Sequence, residues 1–433
     1  MSDVVAYSLN QIFPFSVAGE WGTDPAPDGN AYAIRAADFT KDCKLRKEIG
    51  APREIPKAKL GTRVLCDGDI LIEKSGGSPD QPVGRPVYFD RESESRTYVH
   101  SNFLQLLRST EGFDRKFLHY LLVQLYESGF FLRYQQQTTG IINLKLEELL
   151  RERVDVPPEK TQRFIRTVLC AADQAIEKTE ALIEKYQQIK AGLMHDLFTR
   201  GVGKDGKLRP PREQAPALYQ ETPIGWIPKD WQYELLDKLT IRGSGHTPNK
   251  NISSYWNGGV KWVSLADSNK LDQLWISQTT LEISLLGVQN SSAVIHPAGT
   301  VVMTRDAGVG KSAILQEPMA VSQHFMAWRC GEKMNNHFLY HWLQYNKRSF
   351  ENVAMGSTIV TIGLPYFKKL MIGAPKDPTE QKEIGLRLTT SYEYIKTLEK
   401  ELRKLNCLKS GLMTDLFSGT DSSVDLQKLP SIA

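Results

Sequence analysis

The sequence lacks any apolar run that approaches the roughly 20 residues needed to span a bilayer. Its first segment, MSDVVAYSLNQIFPF, has neither the basic start nor the small-residue cleavage site of a secretory signal. Cysteine is scarce and scattered, without CxxC spacing, at Cys43, Cys66, Cys170, Cys330 and Cys407. These absences predict a cytoplasmic protein with reduced thiols, no zinc site and no membrane partner.

Catalytic motifs are also missing. The segment AGVGKS (307–312) resembles a phosphate-binding P-loop, but Arg305 stands where that loop requires glycine. The histidines form no HExxH pattern, and Pro79-Asp80 lacks the Glu-x-Lys that would complete a nuclease metal site. Neither a glycine-rich cofactor loop nor an Asn-Pro-Pro-aromatic methyltransferase motif occurs. We therefore expect a non-catalytic chain that carries no metal or cofactor.

Length and charge set further bounds. The 433 residues exceed one ordinary domain, so we expect roughly two to four folding units. The 54 Lys and Arg residues barely outnumber the 50 Asp and Glu residues, which gives a net charge of +4. Global electrostatics therefore permits nucleic-acid binding without requiring it, and a DNA surface would have to be a local patch.

A long internal repeat organises the chain. KAGLMHDLF (190–198) and KSGLMTDLF (409–417) are identical at seven of nine positions, at an offset of 219. The match extends to earlier pairs of segments with small drifts in offset, which are TTGIINL with GSTIVTI, FLHYLL with FLYHWL, VGRPVYF with VGKSAIL, and IRAAD with VSLAD. The chain thus alternates two divergent segments with two near-identical ones.

The near-identical segments are predicted to be long helices. Apolar residues recur at steps of three and four from Ile165 to Leu197, and again from Ile384 to Leu416. Forty helical residues would form a rod of roughly 60 Å whose apolar stripe needs a cover. Mutual packing as an antiparallel coiled coil is the simplest solution. The alternative is that each helix packs on its own domain.

The divergent segments combine both kinds of secondary structure. VLCDGDILIEK (64–74) and TVVMTRD (300–306) are predicted strands, whereas 114–128 and 335–347 are predicted amphipathic helices. The sequence therefore predicts an α+β fold with an internal pseudo-two-fold repeat. The expected segments are a first domain 1–155, a helix 156–200, a linker 201–223, a second domain 224–373, a helix 374–418 and a tail 419–433.

An ordered set of motifs resembles the specificity subunit of type I restriction-modification enzymes. The second half contains ETPIGWIPKDW (221–231), HTPNK (246–250), YWNGGVKWVSLAD (255–267), a glycine-led strand, GSTIVTI and KSGLMTDLF. The first half resembles the same plan through TTGIINL and KAGLMHDLF, although it begins near Tyr7 without a copy of ETPIGWIP. The resemblance covers essentially the whole chain.

The resemblance implies two target-recognition domains, each reading half of a split sequence in double-stranded DNA. It also implies that the conserved helices dock two adenine-methyltransferase (M) subunits, which carry S-adenosylmethionine and flip the target base. Motor-endonuclease (R) subunits that use ATP and magnesium would join for restriction of phage DNA. An antiparallel helix pair of fixed length would act as a ruler for half-sites about one DNA turn apart.

Candidate DNA contacts are polar residues on predicted loops, since side-chain donors read base edges and phosphates. They are Arg35, Lys74, Arg85, Arg91, Arg242, His246, Asn249, Lys261, Arg305 and Lys311. The candidate partner-docking residues are six of the seven identical positions in each of the two helical motifs. They are Lys190, Gly192, Leu193, Met194, Leu197, Phe198, Lys409, Gly411, Leu412, Met413, Leu416 and Phe417.

Two other functions remain open from the sequence. A coiled-coil scaffold that binds only proteins would show no salt-dependent affinity for DNA, whereas a phosphate-contacting reader would. A lone enzyme would bind a cofactor as the isolated chain, although its motifs are missing. Within the DNA-modification class, a specificity subunit for a methyltransferase without a nuclease would have the same sequence features.

Overall fold

The computed structural model describes residues 4–25, 29–78, 81–91, 95–138, 141–354 and 360–418. The chain divides into two compact units. Unit 1 contains Met1–Thr179 and Leu402–Ala433, and unit 2 contains Glu180–Glu401. Within the described ranges, no helix has the length and hydropathy needed to cross a membrane. The predicted tail 419–433 lies outside the described residues.

The first part of the chain alternates short strands and helices before one long helix. The elements are β1 (Val5–Ser8), α1 (Leu9–Ile12), β2 (Phe15–Ala18), β3 (Ala31–Ile34), β4 (Ala51–Arg53), α2 (Lys57–Leu60), β5 (Ile70–Glu73), β6 (Ser75–Gly76), β7 (Pro86–Tyr88), β8 (Tyr98–His100), β9 (Leu104–Arg108), α3 (Arg115–Glu127), β10 (Gln135–Thr138), β11 (Ile141–Leu144), α4 (Leu146–Leu150), β12 (Arg153–Val156) and α5 (Glu159–Thr199).

The second part follows a similar order and ends in a second long helix. The elements are β13 (Tyr219–Thr222), β14 (Gly225–Pro228), β15 (Trp231–Leu235), α6 (Leu236–Leu239), β16 (Thr240–Ser244), β17 (Trp256–Val263), β18 (Trp275–Ile276), β19 (Leu281–Ile283), α7 (Leu285–Gln289), β20 (Ile295–His296), β21 (Val301–Thr304), β22 (Ser312–Leu315), β23 (Met319–Val321), β24 (Phe325–Cys330), α8 (Asn336–Tyr345), α9 (Lys347–Val353), α10 (Leu364–Lys368), β25 (Met371–Pro375) and α11 (Pro378–Ser418).

The two units share one sheet plan. In unit 1 a sheet runs β2-β9-β5-β7, and a second sheet β4-β3-β8 contains the parallel pair β3 and β8. In unit 2 the corresponding sheets run β16-β24-β21-β22-β18 and β19-β17-β23-β20, with β17 and β23 parallel. The predicted strands and helices of the divergent segments occur as β5, β21, α3 and α8. The α+β fold and the internal repeat are therefore confirmed.

A close backbone approach occurs at the same place in both units. A Cβ atom on Gly19 would lie 1.9 Å from the Ser101 carbonyl oxygen, and one on Gly245 would lie 1.7 Å from the Val321 carbonyl oxygen. Only glycine fits such a contact. Each glycine follows the outer strand of its sheet, β2 or β16, so the two positions are structurally equivalent.

The long helices contribute to both units. In unit 1, Ile165 and Leu169 of α5 share a buried core with Met413 of α11. In unit 2, Leu197 of α5 shares a core with Ile384 and Leu388 of α11. In each unit, therefore, a segment of α5 packs on a segment of α11. Both segments also pack on the strands and shorter helices of that unit. Both predicted modes of covering the apolar stripe occur together.

The helix segments run antiparallel within unit 2. The rings of Tyr186 and Tyr394 have centroids 4.5 Å apart. Further along, the backbone N–H of Val202 donates to the Glu380 carboxylate at 2.9 Å. As the residue number rises in and beyond α5, its partner's number in α11 falls, which is the antiparallel order.

A partly buried charge pair fixes the helix segments of unit 1. The Lys409 ammonium lies 2.8 Å from the Asp173 carboxylate, and Tyr120 donates a hydrogen bond of 2.6 Å to the same group. Burial raises the pKa of Asp173, but the charge and hydrogen bond of Lys409 outweigh it, so that pKa lies below its ordinary value. The carboxylate therefore remains ionised and holds α5, α11 and α3 together.

Two equivalent glutamines join each long helix to its domain. Gln162 accepts the Asp114 N–H at 2.9 Å and donates to the Pro157 carbonyl at 2.9 Å. Gln381 accepts the Asn335 N–H at 2.8 Å and donates to the Pro375 carbonyl at 2.8 Å. Asp114 and Asn335 in turn cap the N-termini of α3 and α8.

Replacing either glutamine by alanine should lower the free energy of unfolding by about 2 kcal/mol or more, because each change leaves a buried N–H and a buried carbonyl unpaired. Thermal and urea unfolding of Gln162→Ala and Gln381→Ala would measure this loss. Gln188→Ala, on an exposed turn of α5, is the matched control and should change stability by less than about 0.5 kcal/mol. Equal unfolding midpoints for the buried and exposed variants would contradict the assigned role.

Candidate nucleic-acid interface

The central strand of each unit ends in a cation. Lys74 follows β5, and its N–H donates to the Phe103 carbonyl at 2.9 Å while its carbonyl accepts the Leu144 N–H at 2.8 Å. Arg305 follows β21, and its N–H donates to the His324 carbonyl at 2.9 Å while its carbonyl accepts the Ile362 N–H at 2.8 Å. The same backbone clamp therefore holds both cations.

Neither cation has an ion-pair partner among the residues that the structure describes. Among the residues that the structure describes, Lys74 has no ion pair, and burial lowers the pKa of its ammonium. The Arg305 Nε atom is buried without a hydrogen-bond partner in the same described part of the chain. A partly buried cation without an internal partner is favourably placed to receive an anion such as a phosphate.

Several loops of unit 2 meet beside Arg305. The Thr247 hydroxyl lies 2.5 Å from the Gln323 amide oxygen, and His324 Nδ1 lies 2.9 Å from the Asp306 carboxylate. Asp306 also forms a β-bridge with Thr361. This edge of unit 2 thus holds a row of polar side chains, in which Gln323 is exposed and His324 half-buried, whereas Asp306 and the Thr361 hydroxyl are buried. Arg305 is the only residue of this row that was predicted from the sequence.

Arg85 was predicted as a DNA contact on a loop, but its side chain is buried. Its side chain is 9% exposed and makes two hydrogen bonds to Glu73, at 2.9 and 3.1 Å. It also donates to the carbonyls of Ala36 and Phe39. The antiparallel pairing of β5 with β7 brings Glu73 and Arg85 together, so the charge is directed into the domain and serves to position the 36–40 turn.

Lys311 occupies the corresponding position in unit 2. Its ammonium donates to the Ser268 carbonyl at 3.2 Å, in the 3-10 turn Leu265–Lys270. Its backbone N–H donates to the Thr304 hydroxyl at 3.1 Å. Arg85 and Lys311 thus both connect the central hairpin to the turn that follows the parallel strand, which favours a positioning role.

The remaining candidates form two groups. Four cations have carboxylate partners, which are Asp38 for Arg35, Asp90 for Arg91, Asp237 for Arg242 and Glu317 for Lys261. His246 and Asn249 are exposed on the loop after β16. A direct role in DNA contact stays a prediction for all of these residues.

The apolar residues of the helical motifs serve their own units. Phe417 stacks on Phe117 of α3 with centroids 5.6 Å apart, and Phe198 packs edge-on to Phe338 of α8 at 5.4 Å. Buried positions within the motifs are Leu197, Phe198 and Met413, and partly buried ones are Leu193, Met194, Leu412, Leu416 and Phe417. Lys190 lies over the Tyr392 ring and Lys409 pairs with Asp173. These contacts explain much of the repeat without a partner.

Gly192 and Gly411 are the exception. Both are exposed within long helices, and a Cβ atom at either position would meet nothing within 4 Å. Glycine costs a helix about 1 kcal/mol relative to alanine, and no contact with the described residues requires it. Each glycine lies three residues after an exposed apolar side chain, Ile189 at 47% and Leu408 at 56% exposure, and therefore on the same helix face.

Comparisons with known proteins agree on one family. The model of the type I restriction modification DNA specificity domain matches residues 228–406. The type I restriction enzyme MjaIX specificity subunit of Methanocaldococcus jannaschii is 27% identical over 46% of this chain, and the match spans only 45% of that relative. The putative MjaX specificity subunit of the same organism is 23% identical over 90% of this chain and 88% of its own length.

Solved structures show the same fold. The S subunit of a type I restriction-modification system from M. genitalium matches with a TM-score of 0.59 at 13% identity, covering 96% of both chains. A chain from a study of complex assembly in the type I R-M system matches with a TM-score of 0.54 at 15% identity, covering 96% of this chain and 97% of that one.

Arg85→Met should lower the free energy of unfolding by about 3 to 5 kcal/mol, because Glu73 would remain buried without a partner. The double variant Glu73→Leu with Arg85→Met should recover much of this loss. Lys145→Ala removes an exposed partner of Glu148 and should cost less than about 1 kcal/mol. Urea unfolding measures all three, and an Arg85→Met variant as stable as the Lys145 control would refute the structural role.

Proposed function

We propose that this chain, which belongs to the type I restriction-modification specificity subunits, binds double-stranded DNA with both units and reads one half of a split target with each. The supporting observation is the repeated backbone clamp, which holds Lys74 and Arg305 at equivalent positions. Neither has an ion pair within the described part of its unit. Each unit can therefore contact the DNA backbone through an equivalent cation on the same arrangement of strands.

The division into two half-sites follows from what the units share and where they differ. The strands common to their sheets have the same order, and unit 2 adds β18 and β20. The residues beside the two cations differ, with Phe103 in unit 1 and His324 in unit 2. Contacts to phosphates carry no sequence information, whereas contacts to base edges do. Two units with one plan and different side chains are therefore suited to read two different sequences.

The first experiment is to co-express the chain with its cognate methyltransferase subunit and map methylated adenines across a genome by single-molecule sequencing. We expect one asymmetric motif made of two parts with a fixed gap. Absence of a motif, with the methyltransferase folded and supplied with S-adenosylmethionine, would refute the proposal. The affinity of the assembled complex for its site should also fall steeply with added salt, because phosphate contacts release counterions.

The chain also offers two candidate docking surfaces. We define the helix patches as Ile189 with Gly192 in unit 2 and Leu408 with Gly411 in unit 1. An exposed apolar side chain beside a glycine would let a partner helix approach closely, as small residues do at helix interfaces. Two patches suit two methyltransferase subunits, with motor-endonuclease subunits joining for restriction.

Catalysis in this proposal belongs to the partners. The methyltransferase subunits supply S-adenosylmethionine, and the motor-endonuclease subunits supply ATP and magnesium chemistry. The present chain selects the DNA and positions the enzymes, so it is itself non-catalytic. The target DNA makes the cytoplasm the expected place of action.

A bulky side chain on a helix patch should block one docking surface. Gly192→Phe or Gly411→Phe should reduce the bound methyltransferase from two copies to one, as measured by native mass spectrometry of the reconstituted complex. Gln187→Phe and Asn406→Phe are the matched controls, since each exposed residue precedes its glycine by five positions and projects about 140° away. The idea fails if the glycine variants still bind two copies with unchanged affinity.

A further inference from the structure

We infer that the sequence read by each unit is set by four equivalent positions around its central cation. In unit 1 these are Ser75, Asn102, Phe103 and Asn143. In unit 2 they are Asp306, Gln323, His324 and Thr361. This inference rests on the proposed function. The base-reading side chains are Asn102 and Phe103 in unit 1 and Gln323 and His324 in unit 2. The other four residues position them, since Asp306 and the Thr361 hydroxyl are buried. None of the eight is among the candidates that the sequence suggests.

Backbone pairing makes the two sets equivalent. Ser75 pairs with Asn143 on the neighbouring strand, and Asp306 bridges Thr361 in the same way. The carbonyl oxygens of Phe103 and His324 accept the N–H of the central cation in their units. The equivalence therefore depends on main-chain geometry and not on the identity of the side chains.

The chemistry at these positions divides into a common part and a variable part. The central residue is a cation in both units, which suits a phosphate, because every DNA sequence presents the same backbone. The surrounding positions differ in unit 1 and unit 2, which suits base edges. A protein that recognises two different half-sites needs the same phosphate contact in both units and different base contacts in each.

The variable side chains carry the groups that base readout requires. Asn102 and Gln323 are exposed amides, and an amide can bond adenine in a bidentate manner. Phe103 is 45% exposed and can contact a thymine methyl group. In unit 2 the same place holds His324, which the 2.9 Å contact with Asp306 orients.

Side chains at these positions can be exchanged without loss of the fold. The clamp uses the carbonyl groups of residues 103 and 324, and the side chains of Asn102, Phe103 and Gln323 are exposed. A variant at these positions can therefore fold and assemble while it reads different bases. This property makes the inference testable in the complete complex.

The test exchanges residues between the units. One variant carries Gln323→Asn with His324→Phe, and the other carries Asn102→Gln with Phe103→His. Each is assembled with the methyltransferase subunits. Binding is then measured to duplexes that carry the wild-type methylation motif with every base pair replaced in turn. Gln289→Asn, an exposed amide of α7 in unit 2, is the control.

We expect each exchange to change the base-pair penalties in one half-site only, by about tenfold at one or more positions. The two exchanges should affect different half-sites, and Gln289→Asn should leave the profile unchanged. Penalty profiles identical to wild type, or altered equally in both half-sites, would overturn the inference. Failure of the wild-type complex to give any split motif would instead refute the proposed function.

Discussion

Burial of the apolar stripe along α5 and α11 is the constraint on which the rest of the structure depends. Each helix is 41 residues long, and its apolar stripe must be covered from water. One pair of α5 and α11 segments packs together in unit 1, and a different pair packs together in unit 2. Unit 1 therefore needs residues 402–418 of α11, and unit 2 needs residues 180–199 of α5. The repeated motif ends in a phenylalanine that packs on α3 or α8, so the same contact closes both domains.

The shared frame tolerates large changes of polarity. Where unit 1 has the charged Asp173 beside Lys409, unit 2 has Tyr392 beneath Lys190. One lysine is paired with a carboxylate, whereas burial lowers the pKa of the other. The fold survives both solutions because the glutamine bonds, the glycine contacts and the backbone clamp are the same in both units. These common bonds allow the exposed edge to vary independently in each unit.

The sequence predicted those features that repeat or have a period. Apolar spacing gave both long helices, and β-branched runs located β5 and β21. The inward direction of Arg85 was not predictable from a local pattern, because it depends on how β5 and β7 pair. Gln323 and His324 were missed because their positions become meaningful only beside Arg305. The one signal that could have identified Gln323 and His324 is the difference between Phe103 and His324 at equivalent positions of the aligned repeat.

The interleaved use of the two helices also orders events during synthesis. The core of unit 1 includes Met413 and stacks Phe117 on Phe417, so its N-terminal strands wait for more than 200 further residues before their last helix segment arrives. At about 5 to 20 residues per second, this delay is on the order of 10 to 45 s. A nascent chain that stalls within unit 2 would therefore expose an unfinished first domain to chaperones and proteases. Neither unit of such a chain would be complete, because unit 1 closes only after unit 2 has been made.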